Sequence, residues 1–142
     1  MTKKEATYFS FIPAIIFVGS ELIRTYIRPI YNRNEHPIIN NILGWLPNFL
    51  AGLGILSWSA VILIVGESLL SLTISKKQKL LVLLATNIIA IVGLIGHEVL
   101  QKGTGLYYDI EDIYATLGGV LLGNILYYFS LFSNKTVEHK LK

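Results

Sequence analysis

The stretch Gly44-Trp-Leu-Pro-Asn-Phe-Leu-Ala-Gly-Leu-Gly-Ile-Leu-Ser-Trp-Ser-Ala-Val-Ile-Leu-Ile-Val-Gly-Glu-Ser-Leu-Leu70 decides the fold, because Glu67 is its only charged residue. A helix needs about 20 mostly apolar residues to cross a hydrocarbon core of about 30 Å, where an unpaired backbone group costs several kcal/mol. This stretch meets that requirement, and two others downstream do so as well: Lys79–Glu98, with its apolar body from Leu80 to His97, and Asp112–Phe132. A fourth, Thr7–Ile27, reaches the same length only by carrying Glu21 and Arg24 to the far interface. The composition agrees with lipid as the solvent: 53% of the 142 residues are hydrophobic, 15% are charged, and the mean hydropathy is +0.57.

These segments predict an all-α polytopic membrane protein, a four-transmembrane-helix bundle filling one domain over residues 1–142, with spans at about 7–27, 44–70, 79–98 and 112–132. The first stretch follows Lys3 and Lys4 as a signal peptide would. Pro13 within it and the lack of an Ala-x-Ala site favour a retained span. With four spans, Lys3, Lys4, Lys76, Lys77, Lys79, Lys135, Lys140 and Lys142 share one side. By the positive-inside rule that side, with both termini, is cytoplasmic. Tyr26, Tyr31 and Trp45 then mark the outer boundary, and Tyr127, Tyr128 and Phe132 the inner one. The connection from Arg28 to Leu43, rich in Pro and Asn, reads as a structured outer loop, with Pro47 in the first turn of the second span.

The outer ends of the spans gather the polar chemistry. Glu98 and Gln101 sit at i,i+3 at the end of the third span, and Asp109 and Asp112 at i,i+3 where the fourth begins. Asn48 and Gly52 form a polar and small face on the second span, and Thr116, Gly119 and Gly123 a small-residue stripe on the fourth. Arg24 and Arg28 follow Glu21 one and two turns on, within reach of an ion pair with Glu98 or Asp112. Singly, Asp109 reads as a helix cap, Asp112 as a response to the helix dipole, and Glu98 as a solvated interface residue. Together, ionisable groups from several helices near a membrane interior point to a functional cluster. Elsewhere Glu67 is expected to snorkel, Asn87 to bond across helices and His97 to lie at the interface.

Glu98, Gln101, Tyr108, Asp109, Asp112, Thr116 and the Gly118, Gly119, Gly123 run resemble the VanZ-like family of small membrane proteins, in which a Glu-x-x-Gln helix end precedes an Asp-x-x-Asp helix start and a glycine-rich last span. The sequence departs from that pattern at Leu106, where the family often has Arg, and at Thr116, where it often has Asn. The resemblance covers His97–Tyr128 best and Asn41–Ile55 more loosely. It implies a multi-pass protein of the cell membrane, the inner or plasma membrane of a bacterium, with relatives linked to the envelope and to reduced sensitivity to the glycopeptide teicoplanin. The expected partners are the bilayer and an envelope lipid or lipid-linked intermediate held by the outer cluster, with homo- or hetero-oligomers open and nucleic acid excluded.

Two alternatives stand beside it: a structural or assembly subunit whose Gly119 and Gly123 face packs a neighbour, and a membrane enzyme using Glu98, Asp109 and Asp112 as acid, base or cation ligands. The chain has no cysteine and three scattered His, so thiolate chemistry is excluded. No cofactor and no metal is expected.

Overall fold

The computed structural model describes residues 7–8, 10–31, 35–101 and 110–132, and is helical in every element. The elements are α1 (Ile12–Leu22), a π-helical turn (Ile23–Ile27), a 3₁₀ turn (Arg28–Ile30), α2 (Pro37–Ser68), α3 (Lys76–Gln101) and α4 (Ile110–Phe132). Among the described residues, α2, α3 and α4 are long and apolar enough to cross a membrane. Asp109, with Lys102, Leu106 and Tyr108, lies outside the described residues.

α2 is longer than its apolar run. It begins at Pro37 rather than at Gly44, so the last part of the expected outer loop, Pro37 to Leu43, is two further turns of helix, and Pro47 is interior rather than in the first turn. Proline at the first helical position has no N–H to leave orphaned, which is why Pro37 starts the helix. The Asn40 side chain then donates to the Tyr31 carbonyl at 2.7 Å and ties the new start to the preceding turn. Pro47 is tolerated inside the helix as prolines in membrane helices commonly are, with neighbouring helices and hydroxyls serving the local backbone. The bond that Pro47 removes is the one to the Leu43 carbonyl; the Ser20 hydroxyl of α1 donates to the Pro47 carbonyl at 3.5 Å, which ties α1 to α2 beside the proline without replacing that bond.

At the other end the carbonyls of Val65 and Gly66 accept from Leu69, Leu70 and Leu72, and Ser71 takes the left-handed conformation at φ 56° to turn the chain. α3 opens on a complete capping box. The Ser75 N–H donates to the Gln78 side chain at 2.8 Å, and the Gln78 N–H donates back to the Ser75 hydroxyl at 3.3 Å.

The bundle is organised around α2, which packs on α1, α3 and, most extensively, α4. The α2–α4 seam is where the small residues fall. A Cβ on Gly119 would land on the Phe49 carbonyl of α2, one on Gly52 would lie 2.7 Å from the Thr116 carbonyl oxygen, and one on Gly123 would lie 2.5 Å from the Leu56 Cβ. Only glycine at all three lets the two backbones touch, as close membrane crossings require. Thr116 is 1% exposed in this seam; further along the bundle the buried apolar residues form two clusters, one of Leu56, Ala90 and Val120 and one of Ala60, Leu63, Ile64, Tyr127 and Leu131.

α3 shows the inversion expected of a helix solvated by lipid. Leu81, Leu84, Ile88 and Val92 form an exposed stripe, while Lys79, Thr86, Ala90 and Glu98 are buried. In water that arrangement would be upside down; in hydrocarbon the apolar face needs no cover and the polar face does.

Candidate functional site

The end of the bundle where α2 and α4 begin carries a polar cleft of about 310 Å³ whose walls include Arg28, Asn40, Asn41, Trp45, Glu111 and Asp112. Each wall follows from local structure. Pro37, Asn40, Asn41, Gly44 and Trp45 recur at helical spacing, so extending α2 to Pro37 turns what reads as loop composition into one face of a helix. Glu111 and Asp112 occupy the first turn of α4, where the positive end of the helix dipole favours carboxylates. The 3₁₀ turn places the Arg28 guanidinium over α2, its Nη2 lying 3.9 Å from where a Cβ on Gly44 would stand. The cleft thus sets one cation opposite two carboxylates and two amides. A second groove continues from it along Asn41, Trp45, Phe49, Glu111, Tyr114 and Gly118, with mostly apolar walls.

Of the residues singled out in the sequence, Arg28 and Asp112 meet in this cleft. Asn48 is half-buried on α2, and Arg24 stands in the π-helical turn, exposed. Arg24 does not reach across to Glu98 or Asp112: its Nη2 pairs with Glu21 of its own turn at 3.0 Å, both side chains more than half exposed. The short i,i+3 path makes that local partner cheaper in side-chain entropy than a distant one. Glu98 is 4% exposed, inside the bundle rather than at a solvated interface. Gln101 closes α3. Gly52, Thr116, Gly119 and Gly123 all lie in the α2–α4 seam, so this stripe packs a helix of the same chain.

Sequence reading passed over Asn40, Asn41 and Glu111 as site residues. The spacing from Pro37 to Trp45 was the available signal, obscured by a Pro and Asn content typical of loops.

Two further polar constructions lie deeper. Asn87 of α3 and Asn124 of α4 exchange side-chain amide hydrogen bonds, Asn87 Nδ2 donating to Asn124 Oδ1 at 2.8 Å and Asn124 Nδ2 donating to Asn87 Oδ1 at 2.7 Å. The cross-helix bond expected of Asn87 is present, with a partner that sequence reading did not single out. At the opposite end of the bundle from the cleft, the Lys79 ammonium donates to Glu67 Oε2 at 2.7 Å, and the Tyr127 hydroxyl donates to the Lys79 carbonyl at 2.7 Å. Glu67 is therefore not simply snorkelling. It neutralises a lysine that is 5% exposed.

No family model, curated protein or solved structure matches this chain.

Proposed function

We propose that the protein is a VanZ-like integral membrane protein of the bacterial cell envelope, with four spans and both termini cytoplasmic, whose outer cleft binds the polar headgroup of a lipid or lipid-linked cell-wall intermediate. The observation that carries this reading is the cleft itself, in which Arg28 faces Glu111, Asp112, Asn40 and Asn41 beside Trp45. Arg28 suits a phosphate or carboxylate oxygen, the carboxylates suit hydroxyl, amide or ammonium donors, and Trp45 offers a flat apolar face. The adjoining groove past Phe49 and Tyr114 gives the apolar part of such a molecule a continuous path.

The membrane placement rests on length. At 1.5 Å per residue, α2 is about 48 Å long against a core of about 30 Å, so its polar first turns project beyond the hydrocarbon. The fourth span is supported by the unbroken helical backbone from Ile12 to Ile30, and the orientation by Lys76, Lys77 and Lys79 after the α2–α3 turn.

The chain has two tryptophans, so Trp58→Phe, at a lipid-facing position 52% exposed, leaves Trp45 as the sole reporter of the cleft. Titrating that variant in nanodiscs with a short-chain polyprenyl diphosphate bearing a sugar gives a saturable change in Trp45 emission. Arg28→Gln or Asp112→Ala weakens it tenfold or more, as expected for a lost hydrogen bond to a charged group, about 1.5–3 kcal/mol. No saturable change, or unaltered affinity in folded variants, overturns the proposal.

A further inference from the structure

At the end of the bundle opposite the cleft, a second pocket of about 200 Å³ is lined by Ile74, Lys76, Lys79, Tyr128, Leu131 and Phe132. Its construction is amphipathic. Lys76 and Lys79 stand one turn apart on α3, and the Lys76 ammonium lies 6.0 Å from the centre of the Phe132 ring. That ring stacks on Tyr128, centroids 5.2 Å apart and planes 27° from parallel. Ile74 and Leu131 supply the aliphatic remainder of the wall.

The charge is unbalanced in one direction. Among the described residues Glu67 neutralises Lys79, which leaves Lys76 and the neighbouring Lys77 as the excess there. Three lysines in the first turns of a helix also oppose its dipole, whose positive end lies there. A positive-inside bias accounts for lysines in a connecting turn. It does not account for burying one of them against a carboxylate, or for backing another with a stacked aromatic pair.

We infer that this pocket is a binding site for an anionic phospholipid, the Lys76 ammonium receiving the phosphodiester, Lys79 staying paired with Glu67 in the pocket wall, and the Tyr128, Phe132 and Leu131 side receiving the start of an acyl chain. Basic pockets between membrane helices recognise anionic headgroups through this combination. The leaflet follows from the proposed orientation and is the cytoplasmic one; the chemistry of the pocket does not depend on it. The site is separate from the outer cleft, and neither proposal requires the other.

The test is native mass spectrometry of the full chain released from micelles holding equimolar phosphatidylglycerol and phosphatidylcholine of matched chains. The wild type retains phosphatidylglycerol in preference. Lys76→Gln lowers the retained ratio about fivefold, since a basic residue near an anionic surface contributes about 1 kcal/mol. Lys77→Gln, which removes the same charge outside the pocket, changes the ratio less than twofold, and excess inorganic phosphate displaces no lipid. Three results overturn the inference: equal retention of the two lipids, equal loss in the two lysine variants, which reduces the effect to diffuse surface charge, or displacement by inorganic phosphate, which makes the site one for free phosphate. Lys76 is exposed and the Ser75–Gln78 capping box is left intact, so both variants keep the fold.

Discussion

Replacing Gly119 by alanine adds one methyl group and breaks a backbone-to-backbone contact between α4 and α2. The new Cβ falls on the Phe49 carbonyl of α2, with the Phe49 carbonyl carbon at 2.9 Å and the Leu53 nitrogen at 3.1 Å. These are backbone atoms in the middle of a helix, and no rotamer change relieves them. The usual carbon contact is about 3.5–4.0 Å, so α2 and α4 must separate, and the flanking contacts at Gly52 and Gly123 loosen with them. Overpacking a core by one carbon costs about 1–3 kcal/mol, and a backbone-on-backbone clash belongs at the upper end, about 3 kcal/mol. Gly93 on α3 is the matched control, because a Cβ there meets nothing within 4 Å. Gly93→Ala is neutral or stabilising by up to about 1 kcal/mol, from the lower backbone entropy of alanine in a helix. Unfolding of both variants in mixed micelles by titration with SDS, followed by circular dichroism, thus separates them by about 3–4 kcal/mol. A Gly119→Ala protein within about 0.5 kcal/mol of wild type would refute the seam, because an uncoupled site is the only way to absorb the methyl without loss.

The Asn87 and Asn124 amides act as a pair, so Asn87→Leu and Asn124→Leu each destabilise by about 1 kcal/mol in the same SDS titration, while the double variant costs less than the two added together. Strict additivity would show that the amides are not coupled. Lys79→Met leaves Glu67 without its cation and costs about 2 kcal/mol, a figure kept below that for a fully buried pair because the Glu67 side chain is 32% exposed. Adding Glu67→Leu recovers at least half of that loss, because the double variant leaves no unbalanced charge and the Tyr127 hydroxyl still has the Lys79 carbonyl to bond. A double variant less stable than Lys79→Met would contradict this account of the node.

The apolar spans were legible because lipid imposes a length, and length is visible in a sequence. Gly52, Thr116, Gly119 and Gly123 were legible as a packing face for a related reason: small residues at helical spacing within apolar helices have few other uses. The start of α2 was not. Asn40, Asn41 and Pro37 have loop composition, and only the combination of a proline permitted at the first helical position with a stripe running from Pro37 to Trp45 marks them as helix. The missed turns also supply one wall of the cleft, so misplacing that boundary hid Asn40 and Asn41 from the candidate site.

Lys79 and Asn124 were illegible for another reason. Whether a residue on a membrane helix faces lipid or protein depends on the helix's rotation, which is set by the other helices. Lys79 reads as one more lysine of the basic connecting loop until Glu67 and Tyr127 are seen to bond it. Arg24 shows the converse. Its residue type invited a long-range partner, and the nearest carboxylate, Glu21, took it.

The central claim is that α2 projects its polar first turns beyond the non-cytoplasmic face and that the cleft forms there. The chain has no cysteine, so single cysteines report topology without background. Ile38→Cys lies in the projecting turns at a position 74% exposed, and Thr73→Cys lies in the exposed turn between α2 and α3. A membrane-impermeant maleimide added to intact cells labels Ile38→Cys and leaves Thr73→Cys unlabelled until the membrane is permeabilised. Labelling of Thr73→Cys in intact cells, with Ile38→Cys protected, would invert the protein and place the cleft on the cytoplasmic face, contradicting the account.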